Sequence, residues 1–273
     1  MTAIDVDGLR WEVRTHGAGT PLLLLHGFTG RGSGWGGHAH AFARDHRVVV
    51  VDLPGHGRSG IPEDPRRASV ERSADDLATI LRRLSASPAH VLGYSLGARI
   101  ALRLAVAHPG AVRRLVLESP SAGIADPFAR AKRTAADEAR ATRLEDSGVE
   151  AFVAEWEAEP VFASHAAMPA ARRARLHAAR LRNDAHGLAT SLRGAGQGAM
   201  EPLGDRLPGI VAPTMVIAGA LDDAGRDRAT HIAACIPGAR LAIVENSGHT
   251  PHLETPRTFR TLATDFLEED PAA

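Results

Sequence analysis

A serine that could act as a nucleophile or as a base lies in the segment Gly93–Gly97, which reads Gly-Tyr-Ser-Leu-Gly. In a G-x-S-x-G pattern the serine occupies a sharp turn between a strand and a helix, and the glycines relieve crowding of the backbone. The apolar run Ala89–Gly93 precedes Ser95, and the helical pattern Leu96–Ala107 follows it. Because the motif and its context agree, we predict that Ser95 is the reactive serine.

A serine hydroxyl needs a base before it reacts at neutral pH, so the sequence should also supply a histidine and an acid. His249 follows the last predicted strand, and Asp222 follows the strand before it. This gives the chain order Ser, Asp, His that such a turn requires. We therefore predict a catalytic triad of Ser95, Asp222 and His249, with Asp223 as a weaker alternative to Asp222.

Negative charge that develops on a substrate oxygen must be stabilised by donors beside the reactive serine. Phe28 belongs to a His-Gly-Phe segment that directly follows a short apolar run, and Leu96 follows Ser95 in the chain. In this arrangement one backbone donor comes from each of these two places. We predict that the backbone N–H groups of Phe28 and Leu96 form the oxyanion hole.

The remaining histidines near these motifs are predicted to be structural. His26 and His56 lie in turns that follow strands, where a ring nitrogen usually bonds the backbone. His249 and His252 are three residues apart, but no carboxylate or third histidine stands at a spacing that would complete a metal site. We therefore predict no metal and no cofactor.

Short apolar runs bounded by glycine or proline alternate with helical patterns over most of the chain. This alternation predicts a twisted, mostly parallel sheet with helices on both faces. The predicted strands are Leu9–Thr15 (as an exposed edge), Pro21–Leu25, Arg47–Val51, Ala89–Gly93, Arg113–Glu118, Thr214–Ala218 and Arg240–Glu245, and the predicted helices are Ser73–Leu84, Leu96–Ala107, Arg226–Cys235 and Pro256–Leu267.

The segment from about residue 125 to 193 differs from the rest of the chain. It is rich in Ala, Arg and Glu, has helical spacing and little β-branched content, and is interrupted by Pro160 and Pro169. We predict a helical lid over residues 123–205, inserted between the two parts of a core formed by residues 1–122 and 206–273.

The whole-chain composition excludes several classes of protein. The 273 residues carry 32 basic and 32 acidic side chains, so a nucleic-acid or anionic-membrane partner is not expected,. Cys235 is the single cysteine, which excludes an internal disulfide,. No apolar stretch approaches the roughly 20 residues that span a bilayer, and the first residues lack the pattern of a signal peptide. We expect a cytoplasmic protein, and its oligomeric state stays open.

Several motifs resemble the 2-succinyl-6-hydroxy-2,4-cyclohexadiene-1-carboxylate (SHCHC) synthase family of menaquinone biosynthesis, which belongs to the α/β-hydrolases. The most specific are Arg99, just after the serine motif, and the segment from Trp156 to Phe162. Ala98 departs from the family, which usually has a second glycine there. The other matching segments are residues 26–30, 52–57, 93–99, 118–119, 133–137, 160–164, 181–183 and 191–198.

This resemblance implies an α/β-hydrolase fold with an inserted helical lid. It also implies a lyase that eliminates pyruvate from 2-succinyl-5-enolpyruvyl-6-hydroxy-3-cyclohexene-1-carboxylate, with the triad acting as the base. The small polyanionic substrate would be bound by Tyr94, Arg99, Arg133 (or Arg130 in its place), Trp156 and Arg182.

Two other functions stay open at this point. Ser95 could instead be the covalent nucleophile of a carboxylic-ester or carbon–carbon bond hydrolase. The chain could also be a receptor of this fold that binds a ligand without turning it over.

Overall fold

A sheet of eight strands forms the centre of the computed structural model, which describes residues 2–269. The strands are β1 (Thr2–Val6), β2 (Leu9–His16), β3 (Thr20–Leu25), β4 (His46–Val51), β5 (Ala89–Tyr94), β6 (Val112–Glu118), β7 (Thr214–Gly219) and β8 (Arg240–Val244). Their order in the sheet is β1-β2-β4-β3-β5-β6-β7-β8. From β4 to β8 all neighbours pair in parallel, whereas β2 is antiparallel to both β1 and β4. The predicted α/β-hydrolase fold is confirmed.

The amino-terminal end of the sheet corrects one prediction. Strand β2 was expected at an exposed edge, but β1 covers that side through a tight hairpin at Asp7 and Gly8, both with positive φ. Trp11 and Val13 of β2 are buried in an apolar core on one face of the sheet. Strand β1 escaped the sequence analysis because only Val6 of its five residues is buried, so its hydrophobic pattern is too weak to register,.

Helices pack on both faces of the sheet. They are α1 (Gly36–Phe42), α2 (Val70–Arg83), α3 (Leu96–Ala107), α4 (Pro127–Glu157), α5 (Ala170–Arg180), α6 (Ala185–Ala195), α7 (Asp223–Cys235), α8 (Pro251–Glu254) and α9 (Pro256–Glu268). Helices α2, α3 and α7 contribute to one apolar core, and α1 and α9 contribute to a second core.

Three of the core helices differ from the predictions, of which α7 begins at Asp223 rather than at Arg226. Helix α2 was expected to begin at Ser73 but begins at Val70, because the Ser69 hydroxyl accepts the N–H of Arg72 and caps the helix there,. Helix α1 was not predicted, since its glycine-rich sequence has low helix propensity,.

The predicted lid segment is mostly helical. It holds α4, a 3₁₀ segment at Pro160–Ala167, α5 and α6, so the predicted breaks at Pro160 and Pro169 are present. Helix α4 has a further irregularity at Gly148, where φ is 78°. Within residues 2–269, none of the helices combines the length and apolar character needed to cross a membrane.

The predicted site residues lie at the carboxyl edge of the sheet. Strands β3, β5, β6 and β7 all end there, as parallel neighbours do, and the connections that leave them carry the predicted reactive residues,. Ser95 directly follows β5, and Asp222 lies three residues after β7. The fold thus brings together residues that are more than 100 positions apart in the chain.

Two histidines are buried near the opposite edge of the sheet. His46 of β4 and His90 of β5 place their ring centroids 5.6 Å apart and are 5% and 3% exposed. Burial lowers the pKa of His90 from its ordinary 6.5 to about 4, and His46 and two nearby arginines add to the effect. Between these two pH values the unfolded chain takes up a proton that the folded protein does not, so stability is lost as the pH falls.

The His90→Gln variant should therefore lose less stability on acidification than the original protein. We expect the drop in the free energy of unfolding from pH 7 to pH 5 to shrink by about 2 kcal/mol. Urea denaturation at the two pH values measures this drop. The exposed His231 offers a control, and His231→Gln should leave the drop unchanged. Equal drops in His90→Gln and the original protein would contradict the assignment.

Candidate active site

Ser95 lies on a strained turn between β5 and α3. Its φ is 51° and its ψ is −105°, a conformation that is uncommon for a residue with a side chain,. The turn is held by a hydrogen bond of 2.9 Å from the Ser95 N–H to the carbonyl of Glu118 at the end of β6. This backbone conformation directs the hydroxyl into the cavity above the sheet.

The glycines of the motif are required by close backbone packing. A Cβ on Gly93 would collide with the carbonyl oxygen of Gly97, and one on Gly97 would collide with the carbonyl oxygen of Leu25 in β3. Helix α3 therefore packs directly against the neighbouring strand. Ala98, which departs from the family pattern, is accommodated with no exposed surface in the core.

The structure brings Ser95, His249 and Asp222 within hydrogen-bond distance of one another. His249 Nε2 lies 3.2 Å from Ser95 Oγ, and His249 Nδ1 lies 2.7 Å from Asp222 Oδ2. Asp222 Oδ1 also accepts the Gly225 N–H at 2.8 Å, at the start of α7. With Nδ1–H donating to Asp222, Nε2 is free to accept the serine proton.

The electrostatic setting favours an ionised Asp222. Burial alone would raise its pKa, but the hydrogen bond and charge of His249, the Gly225 N–H and the Arg228 charge together outweigh burial and hold the pKa below its usual value. Asp223 does not replace it, because its side chain is 84% exposed and pairs with Arg226.

The loop that carries His249 is held by groups that the sequence analysis did not single out. Glu254 accepts the N–H groups of Gly248 and Thr250 at 2.8 and 2.9 Å, on either side of His249. The Ser119 hydroxyl donates to the carbonyl of His249 at 2.9 Å. Nothing in the spacing of Glu254 distinguishes it from a surface acid, so only the folded structure reveals its position.

The two predicted oxyanion donors both lie at the cavity with Ser95. Leu96 is the first residue of α3, so its N–H has no acceptor one turn earlier in the helix,. Phe28 lies in the loop after β3, which packs so closely that a Cβ on Gly27 would meet the Tyr94 ring at 2.5 Å. The arrangement can place both N–H groups and the positive end of the α3 dipole near one substrate oxygen.

His26 has the structural position expected of it. Its Nδ1 donates to the carbonyl of Gly27 at 2.8 Å, and its Nε2 accepts the N–H of Leu53 at 3.0 Å. Burial lowers its pKa, which keeps the ring neutral. His26 therefore ties the loop after β3 to the loop after β4.

A cavity of about 700 Å³ opens beside Ser95 and His249. Its lining is strongly unbalanced in charge, because it contains nine arginines and one carboxylate, that of Glu159. The core and the helical lid segment both contribute. The arginines are Arg31, Arg99, Arg133, Arg140, Arg172, Arg175, Arg180, Arg182 and Arg228.

Arg99 and Arg133 lie together in this cavity. Arg99 Nη1 donates to the carbonyl of Ala195 at 2.6 Å, which fixes the guanidinium. Burial, with the Arg133 charge adding to it, lowers the Arg99 pKa to about 10, so the side chain stays cationic at pH 7. Arg133 is held by Asp137 and Gln197 at 2.9 and 2.7 Å. Arg133, and not Arg130, lines the cavity.

The other predicted substrate contacts, Tyr94, Trp156 and Arg182, also line the cavity, and the two aromatic ones pack against further rings. Trp156 stacks on Phe152 with centroids 5.8 Å apart and meets the Phe28 ring edge to face at 5.3 Å. The Tyr94 ring lies 5.6 Å from that of His249. Burial raises the pKa of Tyr94 well above its usual value and the Glu118 charge adds to this, so the phenol stays neutral.

Sequence reasoning missed six of the nine arginines. In an arginine-rich lid, spacing alone does not separate cavity-facing side chains from solvated ones. Only the resemblance singled out Arg99, Arg133 and Arg182. The arginines that it missed are Arg31, Arg140, Arg172, Arg175, Arg180 and Arg228.

No group of three or more potential metal ligands was found in the described part of the chain. His252, considered with His249 as a possible ligand pair, instead directs Nδ1 to Glu118 Oε1 at 2.8 Å. Its ring also contacts Tyr94, with centroids 4.7 Å apart. His252 is therefore held by Glu118 and packs against Tyr94, the residue before Ser95.

Comparisons with known proteins agree with this architecture. The model of the alpha/beta hydrolase fold family matches residues 20–256. A protein of Bacillus subtilis (strain 168) assigned as an SHCHC synthase is 35% identical, over 96% of each chain. A protein of Azorhizobium caulinodans assigned as the carbamate hydrolase RutD is also 35% identical, over 97% of this chain and 96% of its own. The solved structure of MenH from S. aureus superposes with a TM-score of 0.90 at 31% identity, covering 94% of this chain and 97% of that one.

The packing around the serine turn predicts a large cost for Gly97→Ala. Its Cβ would collide with backbone, which cannot move without displacing β3, so the free energy of unfolding should fall by at least about 2 kcal/mol. Gly37→Ala is the matched control, because a Cβ at Gly37 of α1 meets nothing within 4 Å. Urea denaturation should show the control unchanged or slightly more stable, and equal stability of the two variants would refute the packing argument.

Proposed function

The chain belongs to the SHCHC synthase family of α/β-hydrolase-fold enzymes, and we propose that it eliminates pyruvate from 2-succinyl-5-enolpyruvyl-6-hydroxy-3-cyclohexene-1-carboxylate to give SHCHC. The observation that carries the proposal is the charge of the cavity, where nine arginines face one carboxylate. Guanidinium groups bind carboxylates in bidentate pairs, and this substrate carries several carboxylates. An esterase for apolar acyl chains has no use for such a lining.

The distribution of counter-ions strengthens this argument. Arg133, Arg140 and Arg180 pair with Asp137, Glu159 and Glu157. Within residues 2–269, the other six cavity arginines have no carboxylate within 4 Å. Unpaired cations in a partly closed cavity favour an anionic ligand, because the ligand replaces the water that they lose.

The triad can supply the base for this reaction. Ser95 Oγ takes the proton from the ring carbon next to the succinyl ketone, while its own proton passes to His249 Nε2. The electron pair shifts through the ring double bond, and the ring carbon–oxygen bond to the enolpyruvyl group breaks. The departing enolpyruvate gains the proton from His249 and becomes pyruvate, which leaves the triad as it began.

The enolate formed on the way needs stabilisation at its oxygen. The N–H groups of Phe28 and Leu96 can donate to the ketone oxygen as negative charge develops there. Asp222 keeps His249 oriented and stabilises the imidazolium that forms. No covalent bond between Ser95 and the substrate is required.

Hydrolysis with Ser95 as covalent nucleophile is the second candidate. The similarity to a protein assigned as a carbamate hydrolase favours it, because the same triad serves both reactions. Release of pyruvate without an acyl-enzyme burst separates the lyase from the hydrolase.

The Ser95→Ala variant tests the proposed function directly. We expect the protein to release pyruvate from freshly generated substrate and the variant to release it at least about a thousandfold more slowly, since the reactive base is lost. A coupled assay for pyruvate measures both rates. Absence of pyruvate above background, with p-nitrophenyl acetate still cleaved, would contradict the lyase and support the hydrolase.

Arg99→Ala should harm the anionic substrate selectively. We expect a higher KM and lower kcat for pyruvate release, with kcat/KM down by about tenfold to a hundredfold, because a charged hydrogen bond is lost. Cleavage of p-nitrophenyl acetate should change little.

The control for this variant is Arg103→Ala. Arg103 lies one turn further along α3 and pairs with Glu201 at 2.8 Å. The Arg103→Ala variant should leave both pyruvate release and p-nitrophenyl acetate cleavage unchanged. Equal losses in Arg99→Ala on the anionic and neutral substrates would refute the anchoring role.

A further inference from the structure

We propose that Arg31 is a further ligand-binding residue: it joins Arg182, which the family resemblance already assigns to substrate binding, in a second carboxylate-binding site that is distinct from Arg99 and Arg133. The group that binds at this second site is a carboxylate, and it belongs to a ligand whose other carboxylate binds at Arg99. The identity of the natural ligand rests on the proposed function, whereas the existence of the second site does not.

Arg31 has donors that no protein group uses. It follows Gly30 in the loop after β3, is half-buried and lines the cavity with Ser95. Its Nε is buried and has no hydrogen-bond partner. Within the described residues, the Arg31 side chain makes one hydrogen bond, a long one of 3.4 Å from Nη2 to Asn183 Oδ1. A buried donor left unpaired is costly, so the site is incomplete without an acceptor.

Its nearest acid cannot serve as that acceptor. Asp52 attracts Arg31, but its two carboxylate oxygens accept the N–H groups of Gly32 and Arg58 at 2.7 and 2.9 Å. No carboxylate within the described residues lies within 4 Å of Arg31 or Arg182. These two guanidinium groups therefore face the cavity without a counter-ion.

Arg31 and Arg182 form one local cluster of positive charge. Burial lowers the pKa of Arg31, and the Arg182 charge is the next largest cause. For Arg99, the corresponding charged neighbour is Arg133. The cavity thus holds two pairs of like charges, each of which would be relieved by one anion.

Asn183 fixes the orientation of this cluster. Its Nδ2 donates to the carbonyls of Thr29 and Arg180 at 2.8 and 3.0 Å, so its Oδ1 must point toward Arg31. One contact thereby joins the loop after β3 to the connection between α5 and α6. The Arg31 fork is held between core and lid, where a bidentate carboxylate can reach it.

Two separate anion sites make the cavity selective for ligands with at least two carboxylates. A monocarboxylate could satisfy one pair of arginines and would leave the other uncompensated. Ser95 lines the same cavity as both pairs, so a ligand bound at both would be fixed in two places relative to the base,.

Calorimetric binding of three stable probes tests the second site without requiring turnover. The probes are 2-succinylbenzoate with two carboxylates, 2-butanoylbenzoate with the ring carboxylate alone, and 4-oxo-4-phenylbutanoate with the chain carboxylate alone. Arg31→Gln should weaken 2-succinylbenzoate by about tenfold or more, and weaken one monocarboxylate but not the other. Arg31→Lys, which keeps the charge but loses the fork, should recover part of the loss.

Arg44→Gln provides the control, since Arg44 is exposed just before the amino-terminal end of β4. It should bind all three probes as the original protein does, and melting temperatures should be equal throughout. The proposal is overturned if Arg31→Gln weakens no probe, if it weakens both monocarboxylates equally, or if the original protein binds none of them. If the protein binds the probes with these selectivities but releases no pyruvate, the result would support the second site and contradict the proposed function.

Discussion

The close approach of α3 to β3 is the constraint on which the site depends. Helix α3 can begin directly after Ser95 only because Gly93 and Gly97 let backbone meet backbone, with Gly97 against the carbonyl of Leu25. The strained φ of Ser95 follows from this short connection, and its N–H is secured by Glu118 of the next strand. The hydroxyl, the N–H of Leu96 and the end of the helix dipole therefore reach the cavity as one rigid unit.

Around that unit, hydrogen bonds from several elements of the core position Asp222 and His249. Asp222 is fixed by the start of α7, and the loop of His249 is fixed by Glu254 and by Ser119 after β6. The lid segment joins the same network, because His165 contacts the Thr250 hydroxyl at 2.7 Å. The lid and the histidine loop are thus in direct contact, and the position of His249 depends partly on the lid segment.

The positive charge of the cavity is a local property that the net charge of the whole chain does not show. Equal numbers of basic and acidic residues give a net charge of zero, yet nine arginines converge on one space. Three of them, Arg133, Arg140 and Arg180, are paired with acids. Within residues 2–269, the other six have no carboxylate within 4 Å, so the cavity has an excess of positive charge that the composition of the whole chain does not show.

The sequence by itself determined the fold class and most strand positions, and it predicted Ser95, Asp222 and His249, which the fold brings within hydrogen-bond distance of one another. It could do so because buried parallel strands are continuous apolar runs, and because a serine on a strained turn demands glycine beside it. It failed at β1 and α1, whose patterns are weak, and it misplaced β2 at the edge of the sheet. Only the tertiary structure decided that Glu254 holds the histidine loop, that Arg133 and not Arg130 faces the cavity, and that Arg31 lines the same cavity as Arg182. Each of these arrangements depends on the angle at which two elements pack. The spacing of residues along one helix does not determine that angle.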